Sequence, residues 1–157
     1  MKLTRRASDS GLTGLEWAAS IPGTVGGAVK GNAGAFGGSI GDLVVAVDGV
    51  WKSGEVGVFR KEELEFSYRW SNIPDDFIIL NIDLELKEGN RNQILRRIDE
   101  YNRRRAEKQP IGEKSAGSIF KNPVGHFAGE LIEKAGLKGF RFKGAKVSEK
   151  HANFIIN

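Results

Sequence analysis

Apolar positions along the chain follow two rhythms. In NRNQILRRIDEYNRRRAEKQP (90–110), Ile94, Ile98 and Tyr101 recur at helical spacing, and Leu95 widens the stripe. This predicts a helix capped by Asn90 or Asn92 and closed by Pro110. FAGELIEKAG (127–136) is a second amphipathic helix, with Gly136 as its C-terminal stop. TGLEWAAS (13–20) predicts a short helix capped by Thr13, with Glu16 three residues on as in a capping box. A helical turn is expected near VGGAVKGN (25–32).

The other rhythm is that of strands. DLVVAVDGVW (42–51) and EVGVFR (55–60) read as a hairpin joined at KSGE. KEELEFSYRWS (61–71) begins with a helical turn and ends as an irregular loop. FIILNIDLELK (77–87) carries apolar residues beyond simple alternation, which predicts a long strand partly buried on both faces. SAGSIFKNP (115–123) reads as loop, strand, loop, while GFRFKGAKVS (139–148) and HANFIIN (151–157) read as strands. No strand is expected before the first helix, and no internal repeat is visible. The class is α+β.

Composition narrows the chemistry. The chain has 157 residues, 39% hydrophobic and 28% charged, as for an ordinary globular protein. It has no cysteine, so disulfides, thiolate metal sites and cysteine nucleophiles are excluded. Its two histidines, His126 and His151, make a histidine metal site a poor expectation, and each reads as a partly exposed residue at an element's start. No apolar run is long enough for a bilayer and no signal peptide is visible, which points to the cytoplasm. From Arg91 to Lys108 there are seven basic and three acidic residues, a balance of +4, equal to the net charge of the whole chain.

Three stretches carry candidate chemistry. Ile21–Asp42, IPGTVGGAVKGNAGAFGGSIGD, holds eight glycines in 22 residues. Such a backbone can approach a ligand where a Cβ would clash, and its N–H groups can face an anion. It is neither GxGxxG after a strand nor a P-loop, and a tightly packed structural turn explains it as well as a cofactor loop does. In FSYRWS, Arg69 beside Tyr68 is suited to a bidentate grip on a carboxylate or phosphate, though an ordinary surface arginine is commoner. In SAGSIFKNP, Ser118 has no histidine near in sequence, so a hydrolytic triad is poorly supported. A serine can instead give a proton to an enolate if a neighbouring charge assists it, although a serine bonding backbone is commoner.

In order, GLTGLEWAASIPGTVGGAVKGNAGAFGG, FSYRWS, RRRAEKQP with SAGSIFKNP, and AGLKGFRFKGAKVSEKHANFIIN closely resemble the UDP-N-acetylenolpyruvoylglucosamine reductases, also called UDP-N-acetylmuramate dehydrogenases. The resemblance runs from about Gly11 to Asn157, in the family's compact type. It implies part of a vanillyl-alcohol-oxidase-type FAD-binding domain with its connecting helix (1–105), followed by part of a small α+β substrate-binding domain (106–157). It implies a flavoprotein of peptidoglycan precursor synthesis, in which NADPH reduces FAD and the hydride passes to the enolpyruvyl group of UDP-N-acetylglucosamine enolpyruvate.

By the same resemblance, Ile21, Pro22, Gly23, Thr24, Gly26, Gly27, Asn32 and Gly34 would line the flavin. Arg69 would bind the substrate carboxylate and stabilise the enolate, and Ser118 would protonate it. Lys108 and Asn122 would hold the diphosphate and nearby groups, and Tyr68 would border the pocket. No metal, nucleic acid or membrane is implied. The family's N-terminal FAD half and its C-terminal segment with the catalytic Glu have no counterpart here, so the isolated chain is expected to lack turnover. Lys143 stands where the family more often has a glycine before Gly144. The alternatives are a non-catalytic FAD- or UDP-sugar-binding fragment and, behind it, a basic nucleic-acid-binding module.

Overall fold

Helical periodicity around Ile94 and strand alternation around Val47 are both realised in the computed structural model, which describes residues 2–157. The chain divides into two units, one running to Tyr101 and one from Asn102 to Asn157.

The first unit opens with helix α1 (Lys2–Asp9), which sequence reading passed over because its apolar residues are only Leu3 and Ala7. Strand β1 (Leu12–Thr13) follows and pairs with β9 (Lys87–Glu88), so a strand does precede TGLEWAAS. The helix expected over 13–20 is only a 3-10 turn, Glu16–Ala18. The Glu16 carboxylate accepts from the Thr13 hydroxyl at 2.5 Å and from the Gly14 N–H at 2.8 Å. Gly14 at φ 120° and Ser20 at φ 62° bound the turn with non-helical backbone.

Helix α2 (Val25–Lys30) is the expected turn, capped by Thr24, whose Oγ1 accepts from the Gly27 N–H at 3.1 Å. Strands β2 (Gly34–Ala35) and β3 (Gly38–Ser39) close a small hairpin. The main sheet follows. Strand β4 (Val44–Trp51) lies between β5 (Val56–Arg60) and β8 (Phe77–Leu84), all antiparallel. Between β5 and β8 lie a 3-10 turn (Lys61–Glu63) and a hairpin of β6 (Phe66–Ser67) and β7 (Trp70–Ser71). FSYRWS is therefore a tight hairpin with Tyr68 and Arg69 at its tip, not an irregular loop.

The inner sheet face carries Val47, Trp51, Phe59 and Phe77, with the three aromatic rings packed edge to face or tilted. Leu15, Trp17, Val29, Ile40, Val44 and Ile73 complete this core. The expectation that β8 is partly buried on both faces is corrected. Ile78 and Leu80 point outward and are 52% and 70% exposed, because no layer of this unit covers that face. Register places Val50 between Val56 and Ile78 on the same open face. Helix α3 (Arg91–Lys108) then begins as predicted, with Asn90 Oδ1 accepting from the N–H groups of Asn92 and Gln93. The boundary between the units falls within this helix.

The second unit is a four-stranded antiparallel sheet with one further helix. Strand β10 (Ser115–Ser118) pairs with β13 (Phe154–Ile156), β13 with β12 (Ala145–Val147), and β12 with β11 (Arg141–Phe142). Helix α4 (Ala128–Lys134) ends in a Schellman motif: Leu137 N–H donates to Ile132 O and Gly136 N–H to Glu133 O, with Gly136 at φ 71°. Asn153, 3% exposed, locks the β10 side of the sheet: its amide donates to Phe120 O at 2.8 Å and its Oδ1 accepts from Phe120 N–H at 2.9 Å.

Candidate active site

The candidate residues of the first unit sort into two groups. Ile21, Pro22, Gly23, Thr24 and Gly27 line a cavity of about 220 Å³, floored by Leu15, Trp17 and Ile40. Gly23 has φ 134°, and nothing lies within 4 Å of where its Cβ would stand. Gly26 turns the other way, and a Cβ there would touch Ile79 of β8 at 3.8 Å. Within the Gly-rich stretch, then, some glycines edge a cavity and others permit packing. Gly38 belongs to the second kind: a side chain there would run into the Trp17 ring, at 2.8 Å from Nε1.

Asn32, Gly34, Tyr68 and Arg69 form the second group. The Arg69 guanidinium donates through Nη2 to Gly34 O at 3.0 Å and through Nη1 to Asn32 O at 3.4 Å. It also lies 5.2 Å from the centre of the Tyr68 ring. The β6–β7 hairpin is moored to the Gly-rich stretch at two further points. Asn32 Nδ2 donates to Ser67 O at 2.8 Å, and Ser71 Oγ donates to Lys30 O at 2.8 Å. Phe36, at the tip of the β2–β3 hairpin, stacks on Tyr101 with ring centroids 4.4 Å apart.

In the second unit, Lys108, Ser118 and Asn122 line one open cleft of about 480 Å³. Ser118 sits at an irregularity in the β10–β13 register, just after Gly117 at φ 86°. Such bulges aim side chains off the sheet plane. Asn122 has structural work as well, its Oδ1 accepting from Ala128 N–H, the first donor of α4, at 3.0 Å. Lys150 and His151 line the same cleft and were not singled out from sequence as site residues; the polar turn SEKHAN carries no signal that separates a cleft residue from an ordinary turn. Lys150 Nζ donates to Ala106 O at 2.5 Å. Burial pushes His151 below its ordinary range, more than its backbone hydrogen bond raises it, and nearby Lys138 lowers it further. The shift favours the neutral imidazole, as does the Asn153 N–H, which donates to Nδ1 at 3.2 Å.

Among the described residues no three His, Asp or Glu side chains converge on a possible metal site. No described helix is long and apolar enough to cross a membrane.

Residues 109–157 match the family model described as UDP-N-acetylenolpyruvoylglucosamine reductase, C-terminal domain. A UDP-N-acetylenolpyruvoylglucosamine reductase of Pediococcus pentosaceus is 48% identical over the whole chain, which covers 53% of that protein. One from Latilactobacillus sakei is 50% identical over 98% of the chain and 52% of its own length. A crystal structure of UDP-N-acetylenolpyruvylglucosamine reductase from Thermus caldophilus superposes with a TM-score of 0.92 at 46% identity, covering 99% of this chain and 57% of that one. The chain thus spans about half the length of the relatives it matches. Nearly half of its residues are identical to those of these reductases along its entire length, and its strands and helices superpose on 57% of the Thermus caldophilus enzyme.

Proposed function

We propose that this chain supplies part of a flavin-dependent reductase that converts UDP-N-acetylglucosamine enolpyruvate to UDP-N-acetylmuramate, with NADPH as reductant. In this reading the first unit is part of the FAD-binding domain and the second is part of the substrate-binding domain. The observation that carries it is the cleft of the second unit. Lys108, from the end of the basic helix, and Ser118 and Asn122, from SAGSIFKNP, lie around one opening.

The cavity edged by Ile21–Gly27 fits part of a flavin nucleotide. At about 220 Å³ it is smaller than the roughly 300–1,000 Å³ of a complete small-molecule pocket. Its apolar floor and the bare backbone at Gly23 suit a flat, closely apposed group. The bound flavin would supply hydride transfer. The chain's own residues would do the rest. Arg69 would hold the substrate carboxylate and stabilise the charge that develops as it becomes an enolate. Ser118 would hand its hydroxyl proton to the enolate carbon. Lys108 and Asn122 would hold the diphosphate region, with Tyr68 bordering the substrate. The nucleic-acid alternative is weaker, because Arg91, Arg97 and Arg103 of the basic helix pair with Asp9, Glu16 and Glu107.

Titration of the 157-residue chain with FAD, read by flavin fluorescence and melting temperature, tests the cofactor part. Saturable binding with a raised melting temperature is expected, since ligand at about 100 times Kd stabilises by roughly 2.7 kcal/mol. Replacing Gly23 by Val should remove it by filling the open side of the cavity. Titration with UDP-N-acetylglucosamine enolpyruvate should shift amide resonances at Ser118, Lys108 and Asn122. If neither ligand binds, the assignment of these residues fails.

A further inference from the structure

We infer that Asn32 is a positioning residue for Arg69, acting on the hairpin that carries it and on the guanidinium itself. The inference rests on the proposed function for the meaning of Arg69's placement, but not for the geometry. Asn32 is 7% exposed. Its amide spans two segments: Nδ2 donates to the main-chain oxygen of Ser67, next to the hairpin tip, and Oδ1 accepts from Gly41 N–H at 3.0 Å. Its own main-chain oxygen accepts from Arg69 Nη1. One residue therefore grips the hairpin beside its tip with its side chain and the end of the arginine with its backbone.

The residue type follows from this double task. Asn32 has φ 41°, in the left-handed region that asparagine tolerates better than most residues. The amide must donate on one side and accept on the other. Aspartate loses the donor and sets a negative oxygen against the Ser67 carbonyl. Glycine keeps the backbone turn, and with it the oxygen facing Arg69, but loses both side-chain bonds. At this burial water does not readily replace them, so Ser67 O and Gly41 N–H would lose a partner. The hairpin that carries Arg69 at its two-residue tip, with Arg69 itself at φ 57°, would then be held less firmly against the oxygens that the guanidinium meets. An arginine already oriented loses less entropy on meeting a carboxylate. Asn32 thus contributes to the grip without touching the substrate.

The test reads Arg69 directly and needs neither flavin nor substrate. In nitrogen-15 spectra of the 157-residue chain, a guanidinium held by two acceptors rotates slowly and gives separate Nη signals, assigned to Arg69 by their loss in R69K. Separate signals are expected in the native chain. In Asn32→Gly and Asn32→Asp they should merge into one averaged signal, while the resonances of the second unit stay close to native. Unchanged Arg69 signals in either folded variant would overturn the inference, as would averaged signals in the native chain. Failure of the near-isosteric N32D to fold would overturn it too, by assigning Asn32 to the fold instead of to the hairpin. Any of these results leaves the FAD and substrate titrations intact, and a failed titration leaves the Arg69 spectrum to be read on its own terms.

Discussion

Glu16 is a carboxylate 4% exposed, between the cavity-lining residues Leu15 and Trp17, and removing its charge should be costly. It accepts from the Thr13 hydroxyl at 2.5 Å and the Gly14 N–H at 2.8 Å, and Arg97 of α3 lies 3.5 Å away. In Glu16→Gln the shape is kept, but one of the two oxygens becomes an NH2. If that group faces Thr13, the hydroxyl can rotate to accept from it. If it faces Gly14, the main-chain N–H has no such recourse. Hydrogen bonds to a charged acceptor contribute roughly 1.5–3 kcal/mol. The Arg97 pair adds at most about 1 kcal/mol, because the arginine side chain is 54% exposed. A loss of about 2–3 kcal/mol corresponds to a melting-temperature drop of about 4–12 °C for a chain of this size.

The pH dependence supplies a second, independent reading. Burial pushes the Glu16 carboxyl upward, but the Thr13 hydroxyl, its own N–H and that of Gly14, and Arg97 together hold it below its ordinary value of 4.5. A group depressed in the folded state stabilises fully above its unfolded value, and that stabilisation disappears as pH falls through the folded one. The gap between native chain and E16Q, followed by thermal melts, should therefore be constant at neutral pH and close as pH falls below 4.5. A gap that persists or widens down to about pH 3 would refute this reasoning. So would an E16Q melting temperature within about 1 °C of native at pH 7.

Two other substitutions test backbone geometry. Gly49→Ala places a Cβ against the Ile78 carbonyl and 2.5 Å from Phe77 Cε1, both on the neighbouring strand β8; chemical denaturation should show a loss of about 3 kcal/mol or more, and a near-neutral result would mean the β4–β8 pairing is looser than described. Lys143→Gly relieves a left-handed backbone at φ 52° that costs a side-chain-bearing residue about 1–2 kcal/mol, against about 0.5–1 kcal/mol of added chain entropy, so the urea midpoint should rise by the equivalent of about 0.5–1 kcal/mol.

Helix α3 was legible because Ile94 and Ile98 keep one face and Asn90 is a competent cap. The end of α4 was legible because Gly136 takes the left-handed conformation that closes it. TGLEWAAS misled because a capping-box pattern is also a turn pattern. Here the glutamate accepts from Thr13 and Gly14, and the chain leaves helical space at Ser20. Strands β1 and β9 are two residues each, too short to show a period. The FSYRWS hairpin was hidden because its tip is Tyr-Arg, without the Asn or Gly that marks such turns. Of the candidate site, residue types were readable, but partnerships were not. Nothing in the spacing of Asn32 and Arg69 says that one main-chain oxygen meets the other's guanidinium, since that contact depends on how the Gly-rich stretch folds back on the hairpin.

Arg69 is gripped by carbonyl oxygens of Asn32 and Gly34, groups that every amino acid possesses. That choice separates two kinds of mutational tolerance. Substituting Ala33, between them, deletes neither acceptor, so a change there is absorbed wherever the new residue accepts the same backbone angles. Adding or removing a single residue there would rotate or displace both oxygens at once. The connection should therefore tolerate change at Ala33 while remaining rigid in length.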